Sequence, residues 1–232
     1  MKIVSWNANG AFRRKFKEIL DLDADIYVVQ ESENPDKISD DPEFRRTVRN
    51  GFWVGCYNHK GLLVFSTNPE LRLAREDWHD RGKRYFIPIR VNDGFTLVGA
   101  WACDPYCEEL HDWLEEVGDK IKDDCVILGD LNSNVNLDPK HLKVSGKSYS
   151  KVLERLAGHG LYDIWHHHHK EEQGKESVPT FYLYRHLDKP YHIDHCLASP
   201  TFVKNMSIHS RWKWLSMSDH LPIEIELNIE NK

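Results

Sequence analysis

Five short segments each end an apolar or β-branched run with a residue that can bind a metal or handle a proton. They are SWNANG (5–10), VVQESE (28–33), ILGDLNSN (127–134), YHIDHCLAS (191–199) and SMSDHLPI (216–223). Asn7, Glu31, Asp130, Asn132, Asp194, Asp219 and His220 therefore stand at strand ends, where a rigid sheet can hold them together. Oxygen ligands, a neutral amide and an imidazole with a carboxylate partner form the kit for metal-assisted attack on phosphorus. Groups that act on one phosphate must lie within about 8 Å of each other.

Each residue has a specific use and a plainer alternative. Glu31 follows Ile26-Tyr27-Val28-Val29-Gln30 and suits Mg²⁺, which needs few protein oxygens; alone it reads more readily as an ordinary surface glutamate. Asp130 and Asn132 follow Val126-Ile127-Leu128 and Gly129, a residue that lets the backbone approach closely. A carboxylate beside an amide can hold a nucleophilic water against a phosphate, and Asp and Asn also favour turns. Asp194 and His220 form the natural second pair. A carboxylate on one imidazole nitrogen fixes the tautomer and favours the imidazolium, which stabilises charge developing on a phosphoryl oxygen. Asp219 is a further metal ligand or supports one.

These residues need sheets to carry them. Apolar spacing predicts a helix over 11–22, with strands at 2–6 and 25–30. Hairpins are expected over 51–57 with 61–66, and over 85–91 with 95–101, the second closed by Asn92-Asp93-Gly94. Helices follow at 107–122 and 148–158, and strands at 124–129, 179–184, 191–198 and 222–229. The polar stretches 132–147 and 166–178 read as loops. Hairpins and strand–helix pairs in both halves predict two packed sheets covered by helices, in a single domain over 1–232.

Composition fits an enzyme-sized core: 232 residues, 40% hydrophobic and 29% charged. No segment approaches the roughly 18 apolar residues of a membrane span, and the N-terminus reads as a strand rather than a leader. The five scattered cysteines predict a reducing cytoplasm. Cys103 and Cys107 are read as thiols rather than a zinc site, and the His166–His169 run as a polar surface element. The net charge of −6 does not advertise a nucleic-acid binder. Basic residues nevertheless cluster at Arg13, Arg14, Lys15 and Lys17, at Arg81, Lys83 and Arg84, and at Arg211 and Lys213, which alternate with Trp212 and Trp214. Trp101, Tyr106, Tyr182, Tyr184, Trp212 and Trp214 are candidates for stacking on bases, or for the core.

In this order the five segments resemble the endonuclease/exonuclease/phosphatase superfamily, closest to a small bacterial subgroup, over essentially the whole chain. The resemblance implies a DNase I-like fold, a four-layered α-β-β-α sandwich of two mixed sheets, and phosphoester cleavage dependent on Mg²⁺ or Mn²⁺. It implies that Glu31 is the principal metal ligand, with Asn7 near the metal and Asp219 an additional carboxylate. Asp130 would align or deprotonate the water, Asn132 contact nucleophile or phosphate, and Asp194 partner the catalytic His220. Trp101 departs from the family, which usually places a Tyr or His there; an indole donates one N–H and is neither acid nor base. The chain also lacks the long insertions with which larger members grip duplex DNA. The expectation is a monomeric nuclease on DNA or RNA, with Trp101, Arg13 and Arg14 touching substrate and no obligate protein partner. A phosphoesterase of small or lipid substrates is the second reading. A non-catalytic binding module is the third, and it has no need of all six catalytic groups.

Overall fold

A computed structural model describes residues 1–38, 41–78 and 85–229. Its strands are β1 (Lys2–Asn7), β2 (Ile26–Ser32), β3 (Gly51–Tyr57), β4 (Lys60–Ser66), β5 (Leu73–Arg75), β6 (Phe86–Val91), β7 (Phe95–Trp101), β8 (Cys125–Asp130), β9 (Tyr162–Asp163), β10 (Phe181–Tyr182), β11 (Pro190–Tyr191), β12 (Asp194–Ala198), β13 (Val203–Ile208) and β14 (Ile223–Leu227). Its helices are α1 (Phe16–Leu20), α2 (Pro35–Ile38), α3 (Pro42–Thr47), α4 (Cys107–Val117), α5 (Asp138–Ser145), α6 (Tyr149–Ala157), α7 (Ile164–His169) and α8 (Arg211–Trp214).

One mixed sheet has the order β13-β14-β1-β2-β4-β3, and the other β5-β6-β7-β8-β12-β9. Both parallel pairs, β1·β2 and β7·β8, lie centrally, and antiparallel strands flank them. Alternation along each strand sends one set of side chains between the sheets and the other toward helices. Ile3, Val28, Leu62 and Val64 meet Leu97, Val126, Leu128 and Cys196 in the middle layer. Phe16, Ile19, Phe44 and Trp214 from α1, α3 and α8 cover Val4, Trp6, Val29 and Phe65. Leu110, Trp113, Val152 and Leu156 from α4 and α6 cover Val98, Ile127 and Leu197. The result is the expected four-layered α-β-β-α sandwich. Burying each Val, Leu, Ile or Phe stabilises it by roughly 1.5–3 kcal/mol.

Several local readings are corrected. The helix expected over 11–22 is broken into a 3-10 turn (Phe12–Arg14) and α1. Lys15 stands at the break, because its ammonium donates to the carbonyls of Ala8, Gly10 and Met217 at 2.6, 2.9 and 2.8 Å. The stretch 132–147 holds α5, and 166–178 begins inside α7. The strand expected over 179–184 shrinks to β10, and that over 191–198 begins only at Asp194. The cluster Arg81, Lys83 and Arg84 lies outside the described residues. Among the described residues no helix is long and apolar enough to cross a membrane.

Candidate active site

The strand register brings the sequence-predicted residues to one end of the sandwich. Asn7 ends β1 and pairs with Gln30 on parallel β2, one residue before Glu31. In the other sheet Asp130 on β8 lies between Trp101 on β7 and Asp194 on β12. These three therefore form a row on one face. Gly129 makes the approach possible: a Cβ there would lie 1.9 Å from the Ala100 carbonyl oxygen and 2.8 Å from Gln30 Nε2. That Gln30 amide joins the sheets, donating to Ser5 Oγ at 3.0 Å and to Ala100 O at 3.1 Å.

Two departures from regular backbone aim the ends inward. The β2–β4 register slips between Gln30 and Ser32, leaving Glu31 in a bulge with φ of 57°. Asn132 sits at φ 48°. Left-handed conformations of this kind cost energy in non-glycine residues and concentrate at functional sites.

Asn7, Glu31, Asp130, Asn132, Asp219 and His220 line one cavity of about 360 Å³. Asn7 Nδ2 donates to Asp130 Oδ2 at 2.9 Å and faces Glu31 Oε1 at 3.5 Å, so both carboxylates lie against one amide. Asp130 is wholly buried and also accepts from the backbone N and Nδ2 of Asn132, at 2.9 and 3.2 Å. Burial pushes its carboxyl up to about 7, with the charge of Asp194 adding to it and His220 opposing. A base poised near neutrality can take a proton from water at physiological pH.

His220 is held from three sides. Its Nδ1 lies 2.9 Å from Asp194 Oδ2, its carbonyl accepts from Trp6 Nε1 at 3.1 Å, and its ring lies 4.5 Å from that of Phe181. Its Nε2 stands 3.8 Å from Asp130 Oδ2. Burial opposes charge on the ring, but Asp194 and Asp130 outweigh it and raise the imidazolium to about 9. Asp194 lies behind the cavity, its backbone N donating to Thr180 Oγ1 at 3.0 Å.

The donor chemistry suits a hard divalent cation. Glu31 and Asp219 line the cavity, and Glu31 Oε1 already attracts the ammonium of Lys60 at 3.1 Å. Asn7 fits direct ligation less well. Its Oδ1 accepts from Asn9 N at 2.9 Å, which orients its NH₂ toward the carboxylates and makes it a spacer between them. Asp130, Asp194 and His220 also bring ligand atoms within 4.8 Å of one another, but those atoms face each other in a buried chain.

Three further expectations are revised. Arg13 is turned to Glu33 in an ion pair, and neither Arg13 nor the exposed Arg14 lines the cavity. Trp101 is only 6% exposed, packed edge-on against Tyr85 at 4.8 Å with Lys60 Nζ 5.3 Å from its ring. It is core residue and cavity wall together, and offers no open face to a base. The His166–His169 run is only partly a surface element, since His166 is buried between Asp163 and Glu176. Asn9, Lys60 and Phe181 line the site and escaped sequence reasoning. Asn9 shares a segment with Asn7 and donates to Asp219 Oδ1 at 2.9 Å.

A model of the endonuclease/exonuclease/phosphatase family matches residues 4–220. The chain belongs to this family. Its members' shared chemistry is metal-dependent phosphoester hydrolysis, in keeping with the acid- and imidazole-lined cavity. No curated protein sequence matches the chain. Among solved structures, it is similar to the 3′–5′ exonuclease NExo from Neisseria meningitidis, with 21% identity and a TM-score of 0.73, covering 99% of this chain and 100% of that one. The 3′ phosphatase NExo from Neisseria bound to a product DNA hairpin gives 21%, 0.72 and the same coverage. An AP endonuclease from Archaeoglobus fulgidus gives 18% identity and a TM-score of 0.71, again over 99% and 100% of the two chains. At these identities the likeness is one of fold.

Proposed function

We propose that this family member is a nuclease, cutting phosphodiester bonds of DNA or RNA with Mg²⁺ or Mn²⁺. The observation that carries the reading is the facing pair in one cavity: buried Asp130, and His220 anchored by Asp194. Asp130 holds the attacking water and accepts its proton, while Asn7 and Asn132 keep the carboxylate in place through three N–H donors. His220, charged and fixed through Nδ1, donates from Nε2 to a non-bridging phosphate oxygen. A divalent cation held by Glu31 with Asp219 would neutralise phosphate charge and stabilise the leaving oxygen. Nucleic acid is the favoured substrate class because the similar structures are a DNA 3′ phosphatase and exonuclease and an AP endonuclease.

The test is hydrolysis of end-labelled single-stranded DNA, abasic duplex and RNA by the purified protein in Mn²⁺, beside inositol phosphates and bis-p-nitrophenyl phosphate. The expected result is oligonucleotide cleavage that stops in EDTA and in Asp130→Asn. Turnover confined to the small esters would move the assignment to a small-molecule phosphoesterase.

A further inference from the structure

We infer that Arg211 and Trp212 on α8 form a stacking platform, outside the catalytic cavity, for an unpaired base of the strand being cut. The inference deepens the nuclease reading and rests on it.

Trp212 is 81% exposed, the most open of the large apolar side chains among the described residues. A single exposed aromatic is common on protein surfaces; this one is set apart by the rigidity of its support and by the cation beside it. The element is rigid although short. Two residues on, Trp214 is 2% exposed and lies against Trp6 at 5.0 Å, while Ser210 caps the turn by accepting from Trp212 N. The backbone is thus pinned into the core while the intervening indole stands in solvent.

The guanidinium of Arg211 lies 4.9 Å from the Trp212 ring centre, and among the described residues it has no carboxylate partner. Its neighbour Lys213 is already held by Glu18 and Asp21, each at 3.2 Å. Arg211 therefore covers one face of the indole with a charge that has no carboxylate partner among the described residues, and leaves the rest of the ring exposed, a combination that takes a base and its phosphate together. The stretch 209–217 contains no carboxylate. The Glu18 and Asp21 carboxylates that border it are paired with Lys213, so their charge is partly offset where a nucleic-acid strand would lie.

Location ties the platform to the site. Trp6, which supports Trp214, donates to the His220 carbonyl, and Asn7 follows it in β1. Arg211 also lines a second cavity, of about 440 Å³, with Tyr182, Leu187 and Tyr191. β10 pairs with β11 as an antiparallel hairpin, and Phe181, the neighbour of Tyr182 in β10, lines the catalytic cavity. A strand with its phosphate at His220 can thus pass over the hairpin and lay a flanking base on Trp212. Stacking on the indole requires a base face that is not covered by a neighbouring base, which a single strand offers and the interior of an intact duplex does not.

The experiment compares the unaltered protein, Trp212→Ala, Trp212→Phe and Arg211→Ala. Affinity for a labelled single-stranded oligonucleotide and for the matching duplex is measured in EDTA, and hydrolysis of bis-p-nitrophenyl phosphate in Mn²⁺. The expected result is a loss of about 5- to 150-fold in single-strand affinity for Trp212→Ala, the range of one base–aromatic stack. Trp212→Phe should retain most of the affinity, Arg211→Ala should lose affinity with a shallower salt dependence, and diester hydrolysis should not change. Unchanged single-strand affinity in Trp212→Ala would overturn the platform and assign the exposed indole to another occupant, such as a protein. An equal loss on the small diester would overturn it too, by tracing the effect to the catalytic cavity. If the unaltered protein neither binds nor cuts any oligonucleotide, the nuclease reading itself fails.

Discussion

Asp194 and His195 are neighbours on one strand, and each belongs to a different buried cluster of carboxylates and imidazoles. Asp194 points between the sheets to His220 and Asp130, whose cavity opens to solvent. His195 points the other way, its Nδ1 2.8 Å from Asp163 Oδ2 and its Nε2 2.9 Å from the Ser133 carbonyl. Asp163 also meets His166 Nδ1 at 2.9 Å, off line for a hydrogen bond, and His166 Nε2 reaches Glu176 Oε1 at 2.9 Å. The residue types are the same, but their surroundings differ. In the second cluster, which takes His166 from α7 and packs against Tyr149 of α6, the carboxylates and imidazoles are spent on one another. In the first, His220 Nε2 stops 3.8 Å short of Asp130 and both groups face a cavity. A buried ion-pair network is therefore no sign of chemistry by itself; an open face is also required.

The largest expected effect lies in the first cluster. Asp130→Asn or His220→Ala should lower kcat about 10²–10⁴-fold, the usual range of a positioned acid or base, with the fold intact by circular dichroism. Asp194→Asn should cost nearly as much as His220→Ala, and the double variant little more, because the two act as a unit. Simple addition of the two free-energy losses would break the pairing.

The second cluster should respond oppositely. Asp163→Asn leaves His166 and His195 without their shared carboxylate and should cost about 3–5 kcal/mol in urea unfolding. The activity per folded molecule should remain. A large fall in kcat without loss of stability would erase the distinction between the two clusters.

Next in size is the pH dependence of that stability. Burial opposes charge on His166, but Asp163 and Glu176 outweigh it and raise the imidazolium to about 9. Its contribution is complete below the ordinary value of 6.5 and is lost as pH rises through about 9. Burial alone would raise Glu176, yet the hydrogen bond from His166 and those from backbone N–H groups lower it to about 2. Its contribution is complete above 4.5 and is lost as pH falls through about 2. Melting temperatures of the unaltered protein and His166→Gln should thus be furthest apart near pH 5–6 and converge by about pH 10.

The smallest effect concerns Lys60. Its pair with Glu31 is partly exposed, so Lys60→Met should change stability by no more than about 1 kcal/mol. Removing a cation that competes for Glu31 should raise Mn²⁺ affinity several-fold in a calorimetric titration. Weaker Mn²⁺ binding would show that Lys60 assists the metal.

How much was legible follows from where each signal sits. The hairpins at 51–66 and 85–101, the helices α4 and α6 and the site-bearing strand ends are written in local periodicity and turn residues, and the structure contains them. α5 was missed because polar contacts anchor it. Asp138 accepts from Tyr149 N at 2.6 Å, and His141 faces Glu108 at 2.9 Å, so no apolar stripe marks it. β13 was missed because a bulge between Val203 and Asn205 breaks its alternation. Arg13 read as a substrate contact because nothing in a sequence announces that Glu33, twenty residues on, will take it.

The sequence by itself determined which residue types end which strands, and hence the fold class and the class of chemistry. A period of two or 3.6 is a short-range property, and a strand-end carboxylate is visible without its partners. Only the tertiary structure decided which carboxylates share a cavity. It joined Asp130 to Asp194 through strand pairing and to His220 across ninety residues of chain. It also sent Asp194 and His195 to opposite faces, closed Trp101 into the core and left Trp212 in solvent. Each of these depends on packing between distant segments, and burial sets the charge state and reach of a side chain only once those segments have met.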